Sequence, residues 1–102
     1  MRLVVNSRVI NEIVIDPHYE AKHSKSVNDE IILHLIRTHL DGGIFPVDGV
    51  GTQGHEYFTT EPLFYEGKPY RLVWLLPPEG DSLGVVNCFR RSSGKNKSNL
   101  SK

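Results

Sequence analysis

Two connections, "EGKP" and "PPEGD", constrain the second half of this chain more than any other feature. Each is made almost wholly of turn formers and is too short for a crossover, so the segments it joins must lie side by side and antiparallel. Those segments have the alternation and the β-branched and aromatic content of strands. They are "EYFTT" and "PLFYEG", one strand or two short ones interrupted at Pro62, then "PYRLVWLL", then "SLGVVNCFRR". A meander of three to four strands is expected.

Upstream, "RVINEIVID", Arg8 to Asp16, reads as a first strand stopped by Pro17. With Asp16 as N-cap and Pro17 at the first helical position, "DPHYEAKHS" reads as a short helix of about two turns. A longer helix follows, with Ser26 as N-cap, Asp29 in a near capping box and Gly42 after the last turn. Val27, Ile31, Ile32, Leu35, Ile36 and Leu40 form its apolar face. His39 falls near the middle of that face, as a hydrogen-bonded core histidine would, while His34 and Arg37 fall on the solvent side. The expected fold is α+β in the order β-α-α-β-β-β, with the helices on one face of an antiparallel sheet. Residues 1–91 would form one domain and 92–102 a flexible basic tail.

A chain of 102 residues accommodates one core and no full dinucleotide-binding domain. Twelve basic residues balance twelve acidic ones, so bulk charge does not recruit nucleic acid or an anionic membrane. From Arg90 onward, however, there are five basic residues and no acidic one. Cys88 is the one cysteine, which rules out an internal disulfide and a cysteine zinc cluster, and its apolar neighbours mark it as core filler. No segment reads as a secretion signal or a membrane span, so a cytoplasmic protein is expected.

"GVGTQG", Gly49 to Gly54, matches the G-x-G-x-x-G spacing of a dinucleotide cradle. That cradle needs a strand before and a helix after, whose N-terminus receives the pyrophosphate. Here the helical pattern precedes and "HEYFTT" follows, so the motif reads as a loop with glycines at its turns. His55 at its end could border a small-ligand site. No cofactor and no metal are expected, since the histidines at 18 and 23 lack the helical spacing of a zinc pair.

"HYEAKH" carries the strongest chemical signal. On a helix His18 and Lys22 share one face, and Tyr19 and His23 share the next. Two imidazoles, an ammonium and a phenol suit metal-free phosphodiester cleavage, in which a base takes the 2′-OH proton, an acid protonates the leaving oxygen and cations hold the phosphate. On composition alone the same residues suit a solvated surface helix. Arg90 and Arg91 must point to opposite sheet faces, so one could clamp phosphate while the other meets solvent, and Arg71 is the next candidate. Each arginine taken singly also suits a surface ion pair. The last two strands are apolar on both faces, with Tyr70, Leu72, Trp74 and Leu76 against Val73 and Leu75, then Leu83, Val85 and Phe89 against Val86 and Cys88. A chain segment, a second copy or another protein is expected to cover the second face.

Strand, short helix, longer helix and a meander ending in arginine together resemble the small toxin ribonucleases of toxin-antitoxin pairs, the RelE and BrnT type, which share a barnase-like core. The resemblance rests on "DPHYEAKHS", "YRLVWLL" and "LGVVNCFRRS", similar to the histidine-bearing first helix, the central strand and the arginine-ended closing strand of BrnT-like proteins. It implies metal-independent RNA cleavage by His18, Lys22 or His23 with one of Arg71, Arg90 or Arg91, and neutralisation by a cognate antitoxin. The chain is neutral where such toxins are usually basic.

The expected function is therefore a toxin-like endoribonuclease, or a descendant of one. His18 and His23 would share proton transfer, Lys22 and Arg90 would hold phosphate, and Tyr19 or Tyr70 would place a base, with Arg71 and Arg91 as further substrate contacts. RNA, an antitoxin and a second copy of the chain are the expected partners. The alternative is a non-catalytic domain that docks a partner protein on its apolar sheet face.

Overall fold

The computed structural model describes residues 2–15 and 27–91. The short helix expected over 16–24 and the tail expected over 92–102 lie outside the described residues. Strands β1 (Leu3–Val5), β2 (Arg8–Ile10) and β3 (Glu12–Ile15) come first. Helix α1 (Asp29–Leu35) continues as a π-helical segment, Ile36–Leu40, and β4 (Gly49–Val50), β5 (Glu56–Tyr65), β6 (Lys68–Leu76) and β7 (Ser82–Arg90) complete the order.

This architecture corrects the expected β-α-α-β-β-β order. One continuous helical element stands among the described residues, and strands predominate in a two-stranded sheet and a five-stranded sheet of order β3-β7-β6-β5-β4. The larger sheet is mixed, because β3 runs parallel to β7 while the other neighbours are antiparallel. A parallel pair needs a long crossover, and everything from residue 16 to 81 lies between β3 and β7.

The single strand expected over Arg8–Asp16 is divided at Asn11. Its first half folds back on β1 through Asn6 and Ser7, whose φ values of 52° and 64° make the two-residue hairpin turn that matches strand twist. Asn11 leaves the ladder to bond Asp81, with its N–H donating to the carbonyl at 2.8 Å and Nδ2 to Oδ2 at 3.0 Å. Arg8 fixes the same β6–β7 connection by donating to the carbonyls of Pro77 and Gly80 at 2.7 and 3.0 Å. β3 is thereby aligned beside the start of β7, with Ile13 opposite Leu83.

Asn28, not Ser26, caps α1, and its side chain accepts from the N–H of Ile31 at 2.9 Å. The last turn is wide, with Asp41 N donating to Ile36 O at 3.3 Å. Gly42 adopts the left-handed conformation expected after a helix end, and its N–H donates to Val4 O. Ile32, Leu35, Ile36 and Leu40 pack onto one sheet face with Val27, Phe58, Leu72, Trp74 and Leu76. Trp74 anchors this core. Its ring stacks on Phe58 at 4.1 Å, meets the edge of Phe45 at 5.6 Å, and its indole N–H donates to Thr60 at 2.9 Å.

Candidate functional site at the closing end of the sheet

Cross-strand pairing decides which way each candidate points. On β6, Tyr70, Leu72, Trp74 and Leu76 face α1, and Arg71, Val73 and Leu75 face outward. β7 does not keep strict alternation. Val73 pairs with Asn87 but Trp74 pairs with Val85, so Val86 is an extra residue in a bulge. Leu83, Val85 and Cys88 therefore share the inner face, and Phe89 turns outward, opposite to the grouping that simple alternation predicts. Cys88 is fully buried, as core filler should be.

The same bulge orients the arginines. Arg90 pairs with Tyr70 and lies on the helix side, exposed at the rim. Arg71 pairs with Phe89 on the outer face, its guanidinium carbon 5.6 Å from that ring's centroid. Arg91 joins it there through Glu61, whose two carboxylate oxygens lie 3.2 Å from Arg91 Nε and 3.7 Å from Arg71 Nε. Arg90 and Arg91 thus diverge, as their adjacency requires. Arg71 and Arg91 form a solvent-screened ion group around one carboxylate, and Arg90 does not belong to it.

Tyr70 is only 3% exposed, which leaves no ring face for a base to stack on. Burial pushes its phenol above the ordinary value, with the neighbouring Arg90 charge pulling the other way. It stands as a neutral floor under Arg90. His18, Tyr19, Lys22 and His23 lie outside the described residues. β3, which precedes them in the chain, runs in the same direction as β7, and Ile15 lies beside Val85. Ile15, the last described residue before them, thus pairs with the strand that ends at Arg90.

Two residues of this end, His34 and Lys68, escaped sequence reasoning as site candidates, and Tyr65 joins them there. Glu66 and Gly67, both at positive φ, make a tight turn that sets Tyr65 opposite Lys68 on the helix side. The signal was present in "YEGK", read only as a turn. His34 is exposed, yet its ring meets Tyr65 edge-on at 4.8 Å. His39 is half-buried and its Nε2 is 2.9 Å from Phe64 O, the hydrogen-bonded role expected of it.

At the opposite end of the outer face lies an open hollow of about 560 Å³. Val14, Leu75, Pro77 and Val86 wall it, His55 and Tyr57 border it, and Gly84 forms part of its floor. The glycine motif adjoins this hollow as the β4–β5 hairpin connection, closed by Gly51 N donating to His55 O at 2.8 Å and Gly54 N to Gly51 O at 3.0 Å. Its first two residues are β4 itself, and β5 follows it.

Among the described residues no cluster of three or more histidine, cysteine or acidic side chains could hold a metal ion, and no helix is long and apolar enough to cross a membrane. The chain matches no protein-family model, no curated protein and no solved structure.

Proposed function

We propose that this chain cleaves RNA without a metal ion at the closing end of its sheet, as a toxin-like endoribonuclease held in check by a partner antitoxin. The observation that supports this reading is the parallel placement of β3 beside β7, which sets Ile15, the last described residue before the histidine-bearing segment, beside Val85 on the strand that ends at Arg90. His18 lies three residues beyond Ile15, and Arg90 five beyond Val85. By strand geometry those separations correspond to about 10 Å and about 17 Å of extended chain, so the long side chains of Arg90 and Lys22 have to make up the difference.

In this mechanism one imidazole of His18 and His23 removes the ribose 2′-OH proton. The oxygen attacks the adjacent phosphorus and the bond to the 5′ oxygen breaks, leaving a 2′,3′-cyclic phosphate. The other histidine, protonated, gives its proton to the departing oxygen. Lys22 and Arg90 balance the charge on the crowded phosphorane. Tyr19 takes the base-placing role, since Tyr70 is enclosed. Arg71 and Arg91 lie on the other face with Glu61 and stand outside this site. Purified protein incubated with single-stranded RNA in EDTA tests the reading. His18→Ala and His23→Ala should each abolish cyclic-phosphate products, and unchanged cleavage in both variants would overturn it.

A second reading has its own observation. The outer face keeps Val14 50% and Val86 37% exposed around the hollow, an apolar surface of the kind that docks another protein. On that reading the chain is an interaction domain, and Val14→Asp with Val86→Asp would abolish association while His18→Ala and His23→Ala would not.

A further inference from the structure

Side chains from three strands and the helix meet on the Arg90 side of the closing end. Tyr65 ends β5, Lys68 opposes it on β6, Tyr70 follows two residues later on the same face, and Arg90 opposes Tyr70 on β7. The rings form a series. His34 meets Tyr65 at 4.8 Å with planes 72° apart, and Tyr65 meets Tyr70 at 6.5 Å with planes 74° apart. Burial grades along it, from enclosed Tyr70 through half-buried Tyr65 to exposed His34.

Two cations flank these rings. Lys68 and Arg90 are both exposed, and the ion pairs among the described residues involve neither, since Glu61 takes Arg71 and Arg91 instead. By strand spacing their backbones lie about 8 Å apart. Glu66, in the adjoining turn, is the acidic group that influences Tyr70, and Glu30 stands one helical turn before His34. Rings that offer area for stacking, bordered by unpaired cations, are the features that hold single-stranded nucleic acid: an unstacked base lies against the aromatic and the cations meet the backbone on either side. A duplex would withhold its bases from such rings.

We propose that Tyr65 and His34, flanked by Lys68 and Arg90, hold one unpaired base of single-stranded RNA and the phosphates beside it. This rests on the RNA-cleavage reading and adds to it a subsite for a nucleotide next to the scissile bond.

The test uses the full chain and a 2′-O-methylated oligonucleotide carrying one 2-aminopurine, which binds without being cut and loses fluorescence when its base stacks. Wild type should bind and quench, more weakly as salt rises. Tyr65→Phe should behave alike. Tyr65→Leu, which keeps apolar bulk against the core, should lose the quench and bind about tenfold more weakly, the scale of one base-aromatic stack. His34→Ala and Lys68→Glu alter exposed positions and should each weaken binding with the melting temperature unchanged. If folded Tyr65→Leu, His34→Ala and Lys68→Glu all bind and quench as wild type does, this subsite is refuted while RNA cleavage stands. If wild type itself fails to bind at low salt, the RNA reading falls and the subsite with it.

Discussion

Asn6 and Phe45 pair through both polar atoms of the Asn6 carboxamide: Phe45 N–H donates to Oδ1 at 2.6 Å, and Nδ2 donates to the Phe45 carbonyl at 3.0 Å. The side chain thus takes the place of a strand partner for the loop that carries Phe45 to the edge of Trp74. Asn6 also sits at φ 52°, where asparagine is among the better tolerated non-glycine residues.

Asn6→Ala should therefore cost about 2–4 kcal/mol, because two part-buried bonds are lost and alanine is strained at this φ. Asn6→Gly removes the bonds but relieves the backbone, and should recover about 1 kcal/mol of that loss. Urea denaturation of the three proteins checks the order wild type, glycine, alanine. Equal stability of the two variants would assign the whole effect to the hydrogen bonds.

Tyr70 predicts how stability responds to alkali. Its folded pKa lies above the ordinary 10.0, chiefly because burial disfavours the phenolate. The neutral phenol is the form compatible with the fold, so its contribution is complete below pH 10 and is lost as pH rises through 10 toward the raised folded value. Tyr70→Phe should flatten that alkaline decline. Melting temperatures from pH 8 to 11 for both proteins provide the comparison, and parallel curves would show that Tyr70 does not drive it.

The strands over 56–65, 68–76 and 82–90 were legible because their content and their turn residues point to the same pairing. β1 and β2 were not. Each has three residues, too few to establish a period, and the turn that joins them uses Asn6-Ser7 without glycine. Parallel pairing of β3 was hidden for a different reason, since the Asn11–Asp81 contacts that align it join residues 70 apart. The site was legible to the extent that adjacency dictates direction, as for Arg90 and Arg91. Which arginine faced the helix depended on the Val86 bulge, which leaves the apolar pattern of the strand intact and so gives no local signal.

Gly84 is part of the floor of the outer hollow, and a Cβ there would meet Leu75 Cδ1 at 3.0 Å and Cγ at 3.1 Å. Leu75 is only half-buried and can swing outward, so the clash is relieved by one side chain without moving backbone. Gly84→Ala also restricts the unfolded chain, a gain of about 0.4–1 kcal/mol that offsets the contact. Its stability should stay within about 1 kcal/mol of wild type. If the hollow receives a partner's side chain, the same substitution should weaken association, measured by calorimetric titration, with melting unchanged.

Arg90 and its outer-face counterparts give the sharpest functional contrast. Removing a cation that meets the reacting phosphate costs on the order of a hundredfold in rate, and Arg90→Ala should show that loss. Arg71→Ala and Arg91→Ala remove groups that share the Glu61 carboxylate on the far side of the sheet. They should leave cleavage near wild type and shift stability by less than about 1 kcal/mol, as exposed ion pairs do. Initial rates on one single-stranded substrate under single-turnover conditions separate the three variants. A larger loss for Arg71→Ala than for Arg90→Ala would move the reacting phosphate to the outer face, and with it the position that the histidine segment has to reach.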